Sequence, residues 1–498
     1  MVAIQKKQKN NSNSLSNLRP TSLLSNIGKV FEKILNNKLV AFCVDNNIIS
    51  EYQFGFKKRH STIHAISKLT SDINWALNNK ESVGACLIDV EKAFDTVWHQ
   101  GLIYKLIKKG FNKNQIKMIW NVIEGRSFVV TDNTEEQSSR FYLKNGLQQA
   151  TINSPILFNI YTSDLLKCFN LNSEPNKKAL AFADDLIIYV SGNKPSIIQN
   201  QLQNLFEKIH TFYETWKLKI NTQKCETILF RTILSKGNSS LRKEWKTFQI
   251  KFRNIEIPHK NIVKYLGIHL DNYLYFDNHR KIQLQKARAA FMSQKRLFFC
   301  KHLDPEIKLQ CYKLLIRPII TYGCNIWFNQ SASGMESIRV FERKCLRSCL
   351  GKHRSTHSNF QHYISNEKIY NLAKINRIDC FMLKLIRNHY CQVANVFENS
   401  LIFGSLYPND QYFELTKSSG FIPPEAFLFL DKKGYIQDEN GIPIIYHVFR
   451  RKNNKTIEYD AHLDGLDPYR IYRFNRSVSE KDKMERRITK KYWWIEDS

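Results

Sequence analysis

Apolar residues recur at helical spacing in two early stretches of the chain. Between Ile27 and Val44 they return every three or four residues, the pattern of an amphipathic helix. A second stretch of this kind runs from about Thr62 to Leu77. Before both, Lys6 to Ser16 is polar, rich in Asn and Ser and without periodicity, which is typical of a mobile basic loop. The sequence therefore predicts that folding begins near Arg19 and continues through two helices.

An apolar run that ends in an acid comes next. Ser82 to Val90 is a predicted buried strand that delivers Asp89 to its carboxyl end, and a helix is predicted from about Val97 to Lys109. Further strands are predicted at 141–143, on both sides of Asp184-Asp185 within 179–190, and at 227–231, with helices at 154–169 and 196–216. Strand, helix, two strands, helix, strand is the order of a ferredoxin-like split βαβ sheet, so the predicted fold class is α+β.

Beyond Tyr265-Leu266-Gly267 the pattern is helical only. Stretches that carry apolar residues at mixed spacing of three and four, with many Lys and Arg, run over about 279–300, 305–316, 335–349 and 366–389. They predict a separate basic helical domain. From about Ser400 the chain brings Gly, Pro, Asp and Tyr with a β-prone piece at 444–448, and the pattern assigns this region no role.

Composition narrows the class of partner. The 498 residues include 75 Lys and Arg against 45 Asp and Glu, a formal charge of +30, and 12% are aromatic. Cations meet phosphates and rings meet bases, so this combination favours nucleic acid over a protein with merely solvated charge. Eleven cysteines form no even framework, which indicates a reducing, intracellular compartment. No window approaches ~18 consecutive apolar residues, so no membrane span is expected.

Three carboxylates suggest a metal site. Asp89 ends one predicted strand, and Asp184 and Asp185 lie between two others. Acids at buried strand ends are costly unless a cation compensates them, and two Mg²⁺ ions about 3.5–4 Å apart are what nucleotidyl transfer requires. Adjacent side chains on a strand point to opposite faces, so Asp184 and Asp185 can converge only if a tight turn separates the two strands. We therefore expect Asp184 to be the stronger ligand and Asp185 to act more weakly. The alternative is an ordinary Asp-Asp hairpin turn without a metal.

Several longer motifs resemble one family. Phe182 to Asp185 (FADD) resembles the reverse transcriptase catalytic box, and Leu87 to Trp98 (LIDVEKAFDTVW) is similar to the metal-binding box of the polymerases of non-LTR, LINE-like retrotransposons. Gly146 to Leu165 resembles the box that positions template and nucleotide, RPTSLL and QFGFKKRHST resemble two fingers boxes, and YLG resembles the primer grip. The boxes occur in family order between about Arg19 and Asp271. The helices at 279–389 resemble the thumb of jockey-like and I-like insect elements.

The resemblance implies a role for each matched residue. Asp89, Asp184 and Asp185 would be the catalytic acids that hold two Mg²⁺ ions, for which Mn²⁺ could substitute, with the Val90 carbonyl as an additional ligand. The nucleotide-binding residues would be Arg19 on the triphosphate, assisted by Lys6 or Lys9, Phe94 beneath the sugar, Gln149 in the pocket and Lys224 near the pyrophosphate. Tyr265, Leu266 and Gly267 would form the primer grip. Phe94 as plain core and Lys224 as a solvated lysine are the alternatives, and Asp95 is expected to cap the following helix.

The chain departs from the family at a few positions. Gln149 is followed by Ala150 where the family usually has Gly, and it is preceded by Gln148 where many members have Pro. Only Gly lacks a Cβ, so Ala150 could hinder a close approach of backbone. Met1 lies 18 residues before Arg19, and we expect a chain without the N-terminal endonuclease, which is typical of a truncated or domesticated copy.

These expectations combine into one domain plan. It has N-terminally truncated fingers at 1–80, a palm with the catalytic boxes at 81–275, a helical thumb and adjoining region at 276–395 and a region of unknown role at 396–498. The predicted function is RNA-directed DNA synthesis with an RNA template, a DNA primer and deoxynucleoside triphosphates, in a cytoplasmic ribonucleoprotein or the nucleus. A catalytically inactive RNA-binding relic and a group II intron maturase are the alternatives, and the oligomeric state stays open.

Overall fold

A computed structural model gives the fold of the protein. It describes residues 2–5, 18–21, 24–130, 137–169, 174, 176–232, 244–245, 247–253, 255–328, 330, 332–352, 364–379, 381–382, 384–386, 388–389, 447–452 and 455–460. The chain divides into two compact units. The first is Met1–Ala65 with Glu81–Asn261, and the second is Ile66–Lys80 with Ile262–Ser498.

The first 261 residues contain both helices and strands. Of these elements only α2 lies largely in the second unit. In chain order they are β1 (Val2–Gln5), β2 (Leu18–Thr21), α1 (Asn26–Asp45), α2 (Thr62–Asn78), β3 (Ser82–Ile88), α3 (His99–Lys108), α4 (Lys113–Ile123), β4 (Ser127–Phe128), β5 (Phe141–Tyr142), α5 (Ser154–Tyr161), a 3₁₀ turn (Leu166–Cys168), β6 (Lys177–Phe182), β7 (Asp185–Gly192), α6 (Pro195–Thr215), β8 (Glu226–Phe230), β9 (Lys251–Phe252) and β10 (Ile255–Glu256).

A four-stranded antiparallel sheet forms the centre of the first unit. Its strand order is β6-β7-β3-β8. Ile88 of β3 pairs with Leu186 of β7, and on the other side Leu87 pairs with Glu226 of β8. The predicted order of strand, helix, two strands, helix, strand is confirmed, and β3, which leads to Asp89, occupies an interior position. The carboxyl end of β3 therefore lies beside the β6–β7 turn.

Local sequence explains where several helices begin. Ser25 caps α1, because its hydroxyl accepts a hydrogen bond from the backbone N–H of Gly28 at 3.1 Å. Asn112 and Gln115 form a reciprocal capping box at the start of α4. Pro195 occupies the first turn of α6, where its missing N–H costs nothing. Apolar faces of these helices bury residues such as Leu39 in one core with the sheet.

The second unit is mainly helical. Its elements after α2 are β11 (Ile262–Tyr265), β12 (Ile268–Asp271), α7 (Asp277–Ser293), α8 (Lys295–Phe298), α9 (Pro305–Cys311), a π-helical turn (Tyr312–Ile316), α10 (Arg317–Thr321), α11 (Cys324–Trp327), α12 (Ala332–Cys349), α13 (Asn366–Ala373), β13 (His447–Lys452) and β14 (Lys455–Asp460). The last two strands pair with each other, antiparallel. No helix in the part of the chain that the structure describes is long and apolar enough to span a membrane.

A buried acid connects the helices of the second unit. Glu342 on α12 accepts hydrogen bonds from the hydroxyls of Tyr312 at 3.1 Å and Tyr370 at 2.8 Å, and from the N–H of Ile378 at 2.7 Å. Burial raises the pKa of Glu342, and the nearby guanidinium of Arg317 opposes that rise. Because a buried carboxylate without partners would be destabilising, these contacts fix how the helices pack.

Candidate active site

The turn that carries Asp184 has an unusual backbone. Phe182 and Asp185 close the β6–β7 hairpin, so Ala183 and Asp184 form a two-residue turn. Ala183 has a φ of 59°, in the left-handed region. A residue with a Cβ pays roughly 1–2 kcal/mol for that conformation. The predicted tight turn between the two strands is therefore confirmed.

Asp89 lies next to this turn by strand register. Ile88 pairs with Leu186, and Asp89 is the following residue of the chain. On the opposite side, the Asp89 carbonyl accepts from the N–H of Asn221 at 2.8 Å, and Glu91 N–H donates to the carbonyl of Lys219 at 2.8 Å. Peptide groups of an extended chain alternate in direction, so the carbonyl of Val90, between these two residues, points to the β7 side. That is the side on which Asp185 lies.

The carboxylates repel one another. Burial raises the pKa of Asp185 to about 6, and the negative charges of Asp184 and Asp89 add to the shift. Burial also raises the pKa of Asp89, against the opposing effects of the Lys224 ammonium and a hydrogen bond from the Asn221 side chain. Lys224 Nζ lies 3.8 Å from Asp89 Oδ2, and its side chain is exposed. A concentration of negative charge of this kind favours a bound cation.

The three acids fit a metal site that substrate completes. Among the described residues, no group of three or more His, Cys, Asp or Glu side chains is already arranged to hold a metal ion. Mg²⁺ in polymerase-type sites, however, takes one or two carboxylates together with water and substrate phosphates. Burial, together with the repulsion from Asp184 and Asp89, raises the pKa of Asp185, and this uncompensated negative charge favours the donor set. Asp89, Asp184, Asp185 and the Val90 carbonyl can supply it.

Phe94 and Gln149 lie on two loops that are joined by a hydrogen bond from the N–H of Leu147 to the Phe94 carbonyl at 2.7 Å. The half-buried Phe94 ring stacks on Phe158 with centroids 4.7 Å apart. Gln149 Nε2 donates to Asp95 Oδ1 at 2.9 Å. The expectation that Asp95 caps the following helix is wrong, because the N-cap position of α3 is Trp98 and has no side-chain cap. The Asp95 carboxylate instead orients Gln149.

The loop that contains Gln149 has two left-handed residues. Gly146 has a φ of 89°, and a Cβ there would lie 2.6 Å from the carbonyl oxygen of Asp95. Its own carbonyl accepts hydrogen bonds from His99 at 2.8 Å and from Arg126. Ala150, at the position where the resemblance implies a glycine, has a φ of 67°. The conformation at this position is therefore one that glycine adopts without cost.

Sequence reasoning missed a side chain that holds the catalytic turn. Gln53 Oε1 accepts from the N–H of Ala183 at 2.9 Å. Gln53 is 5% exposed, and its segment runs parallel to β6, where Phe54 N–H donates to the Ala181 carbonyl at 2.8 Å. The only signal in the sequence is that Gln53 belongs to the QFGF box. Nothing in that pattern indicates a partner 130 residues away.

The other predicted site residues lie on separate elements. Arg19 lies in β2 and pairs with Ile4 of β1, and Lys6 and Lys9 fall outside the described residues. Tyr265 ends β11 in the second unit, and Leu266 and Gly267 form the following hairpin turn with φ values of 44° and 90°. The hydroxyl of Tyr322 donates to the Leu266 carbonyl at 2.8 Å. The primer-grip assignment of this turn stays a prediction.

Comparison with known proteins places the chain in a family. The family model described as "Reverse transcriptase (RNA-dependent DNA polymerase)" matches residues 4–270, more than half of the chain. A probable RNA-directed DNA polymerase from transposon BS of Drosophila melanogaster is 30% identical over 334 residues, covering 66% of this chain and 36% of that protein. The RNA-directed DNA polymerase from mobile element jockey of Drosophila funebris is 26% identical, covering 67% and 35%. The chain thus spans about a third of the length of these curated relatives.

The solved structure of apo telomerase from Candida tropicalis is also similar. It is 12% identical with a TM-score of 0.35, covering 77% of this chain and 60% of that one. The family model and the insect relatives match far more closely. The chain therefore belongs to the reverse transcriptase (RNA-dependent DNA polymerase) family, and the predicted resemblance to the polymerases of non-LTR retrotransposons is confirmed.

Proposed function

We propose that the protein is an RNA-directed DNA polymerase that adds deoxynucleotides to the 3′-hydroxyl of a primer on an RNA template. The observation that carries the proposal is the register of the central sheet, which brings Asp89 of β3 beside the β6–β7 turn with Asp184 and Asp185. These acids come from parts of the chain about a hundred residues apart. A structural hairpin turn would not require a third acid beside it.

The acids of the site would hold two Mg²⁺ ions. When bound, the ions would activate the primer hydroxyl and stabilise the leaving pyrophosphate. Asp89, at the end of β3, and Asp184, in the β6–β7 turn, would supply carboxylate ligands, and the Val90 carbonyl would be a further ligand. Asp185, whose pKa is raised to about 6, contributes the third negative charge. Lys224, whose Nζ lies 3.8 Å from Asp89 Oδ2, would balance that charge before substrate binds.

The remaining assignments concern the nucleotide and the nucleic acid. Phe94 would lie beneath the sugar and exclude a 2′-hydroxyl, since its ring is fixed by stacking on Phe158. Gln149, oriented by Asp95, would line the nucleotide pocket. The central sheet would be the palm of a right-handed polymerase, and the helices after residue 276 the thumb. The formal charge of +30 supports binding to the phosphates of template and primer.

A second candidate function is an RNA-binding relic with weak or no catalysis. One observation favours it: Ala150 occupies a left-handed position where the family has glycine. The polymerase is the better supported candidate, because all three acids are present at the end of the sheet. The hydrogen bonds of Gln53 that hold the turn with Asp184 are also formed.

The test is primer extension by an Asp184→Asn variant. Asparagine keeps the size of the side chain but removes the charge that binds metal, so extension on an RNA template should fall by several orders of magnitude. Affinity for template–primer should change little, since the nucleic acid is held mainly by cations. Asp45→Asn, at the exposed end of α1, is the matched control and should retain full activity. Equal extension by wild type and Asp184→Asn would remove the metal assignment.

A further inference from the structure

We propose that Gln53 is a positioning residue that fixes the catalytic turn and thereby the direction of the Asp184 carboxylate. The inference rests on the proposed function, and it extends that function to a residue outside the acid cluster. Gln53 touches neither metal nor substrate in this proposal. It acts through the backbone of Ala183.

The side-chain amide of Gln53 forms hydrogen bonds with both the N–H and the carbonyl of Ala183, a residue of the turn. Oε1 accepts from the N–H of Ala183 at 2.9 Å, and Nε2 lies 3.4 Å from the Ala183 carbonyl, to which it donates. Oε1 also accepts from the N–H of Gly55 at 2.9 Å, which orients the amide from its own strand. Since Gln53 is buried, water does not compete for these hydrogen bonds.

The neighbouring backbone leaves no room for another arrangement. A Cβ on Gly55 would lie 2.2 Å from the nitrogen of Ala183, so only glycine permits this approach. The Gly55 carbonyl accepts from Asn159 Nδ2 at 2.8 Å, and Asn159 is 1% exposed. Ala181 N–H donates to the Tyr52 carbonyl at 2.9 Å. Residues 52–55 thus form a rigid support along β6 that ends at the catalytic turn.

The turn needs such a support because Ala183 is left-handed. A strained residue persists only where its surroundings determine its conformation, and the Gln53 amide binds both polar groups of Ala183. Without the amide, Ala183 can relax towards negative φ. The next residue is Asp184, so any rotation of the turn redirects its carboxylate. A displacement of about 1 Å at a reacting centre costs on the order of 10²-fold in rate.

The variant Gln53→Met tests the proposal because it keeps the length of the side chain and removes its hydrogen bonds. Gln203→Met is the matched control: Gln203 makes the same two-way amide contact with the backbone of Lys251, at 2.8 Å and 3.0 Å, away from the acids. Two quantities are measured on the full chain: kcat for primer extension, and the dissociation constant for Mn²⁺ from electron paramagnetic resonance without nucleic acid. Thermal unfolding of both variants reports any general loss of stability.

Gln53→Met should raise the Mn²⁺ dissociation constant by about 10- to 100-fold and lower kcat by a similar factor. The Michaelis constant for template–primer should not change, and Gln203→Met should resemble wild type in both quantities. A Gln53→Met protein that is folded and binds Mn²⁺ as wild type does would overturn the proposal. The Mn²⁺ measurement does not depend on polymerisation. If wild type itself fails to extend a primer, the proposed function fails while the inference about Gln53 is still decided.

A second pair of variants separates positioning from general stability. In an Ala183→Gly background the left-handed turn carries no strain, so Gln53→Met should then raise the Mn²⁺ dissociation constant by a factor closer to one. If Gln53→Met weakens Mn²⁺ binding equally in both backgrounds, Gln53 does not act through the turn and the proposal is wrong.

Discussion

At Ala150, a single methyl group determines whether the left-handed backbone conformation is strained. Its φ of 67° is accessible to glycine at no cost, and a left-handed non-glycine residue costs on the order of 1–3 kcal/mol. The sequence indicated this position through the family's glycine. The structure supplies the physical reason, which is the backbone conformation of the loop that carries Gln149.

Ala150→Gly should therefore raise kcat/KM for nucleotide by about 5- to 150-fold if the strain is relieved in the transition state. It should not lower the thermal unfolding midpoint. The control Ala289→Gly lies within α7, where glycine costs about 1 kcal/mol, and should lower that midpoint without altering kcat/KM. A kcat/KM for Ala150→Gly at or below that of wild type would show that the alanine is accommodated.

Which site residues could be predicted depended on the range of their interactions. Asp89 and Asp184 follow from strand ends and from a box that is local in sequence. Gln53 and its partner Ala183 lie 130 residues apart, and Asp95 and Gln149 lie 54 apart. Amide hydrogen bonds of this kind depend on how distant segments pack, and no periodicity records them. A capping pattern depends on neighbours in sequence, whereas the Asp95 carboxylate binds the distant Gln149, so the assignment of Asp95 as a cap is wrong.

At the scale of elements, periodicity predicted α1, α2, α3, α6 and the strands of the central sheet to within a few residues, but it did not predict α4. The predicted helix at 154–169 ends as an α-helix at Tyr161, and the predicted helix at 366–389 is interrupted, since α13 ends at Ala373 and Lys374 adopts a φ of 48°. No Gly or Pro marks this break in the sequence. The chain is helical again at Ile378 and Asp379, and the N–H of Ile378 donates to the buried carboxylate of Glu342 at 2.7 Å.

Helix α7 contains a histidine that should make stability depend on pH. His279 is fully buried and accepts a hydrogen bond from the N–H of His269 at 3.2 Å. Burial lowers its pKa from 6.5 to about 3, with contributions from His269 and Lys286. The unfolded chain binds a proton below pH 6.5 and the folded chain does not, so stability falls as the pH drops from 6.5 towards 3.

Between pH 7 and pH 5 this residue should reduce the free energy of unfolding by about 2 kcal/mol. In His279→Gln, which keeps an acceptor for the His269 N–H, the loss between those two pH values should be smaller by that amount. The exposed His302 provides the control, because His302→Gln should leave the pH dependence unchanged. Chemical unfolding at both pH values measures the difference, and identical losses in His279→Gln and wild type would contradict the assignment.

At the scale of the whole molecule, the net charge of +30 follows directly from composition. The grouping of residues 66–80 with the second unit could not be predicted from the sequence. That grouping depends on contacts such as the hydrogen bond from Asn325 Nδ2 to Ser67 Oγ at 3.0 Å. The two residues lie 258 positions apart. A hydrophobic pattern along the chain carries no information about such pairs.

The charge of +30 predicts how template binding should respond to salt. If Lys and Arg neutralise phosphates, the logarithm of the association constant should fall linearly with the logarithm of salt concentration, with a slope of several units. Fluorescence anisotropy with a labelled RNA–DNA duplex measures this slope. Asp184→Asn should show the wild-type slope, because the acids do not contact phosphates without metal. An association constant independent of salt would exclude phosphate neutralisation as the basis of binding.

The interior position of β3 has a consequence for synthesis of the protein. Its neighbours in the sheet, β7 and β8, follow it by about a hundred and about a hundred and forty residues. Ribosomes add roughly 5–20 residues per second, so roughly 7–30 s separate the synthesis of Asp89 from the synthesis of β8, the last strand that pairs with β3. Closing such long loops is slow, and until then the apolar edges of β3 are exposed to chaperones and to other nascent chains. The nascent protein therefore acquires its acid cluster late, and premature termination before about residue 230 would yield chains prone to aggregation.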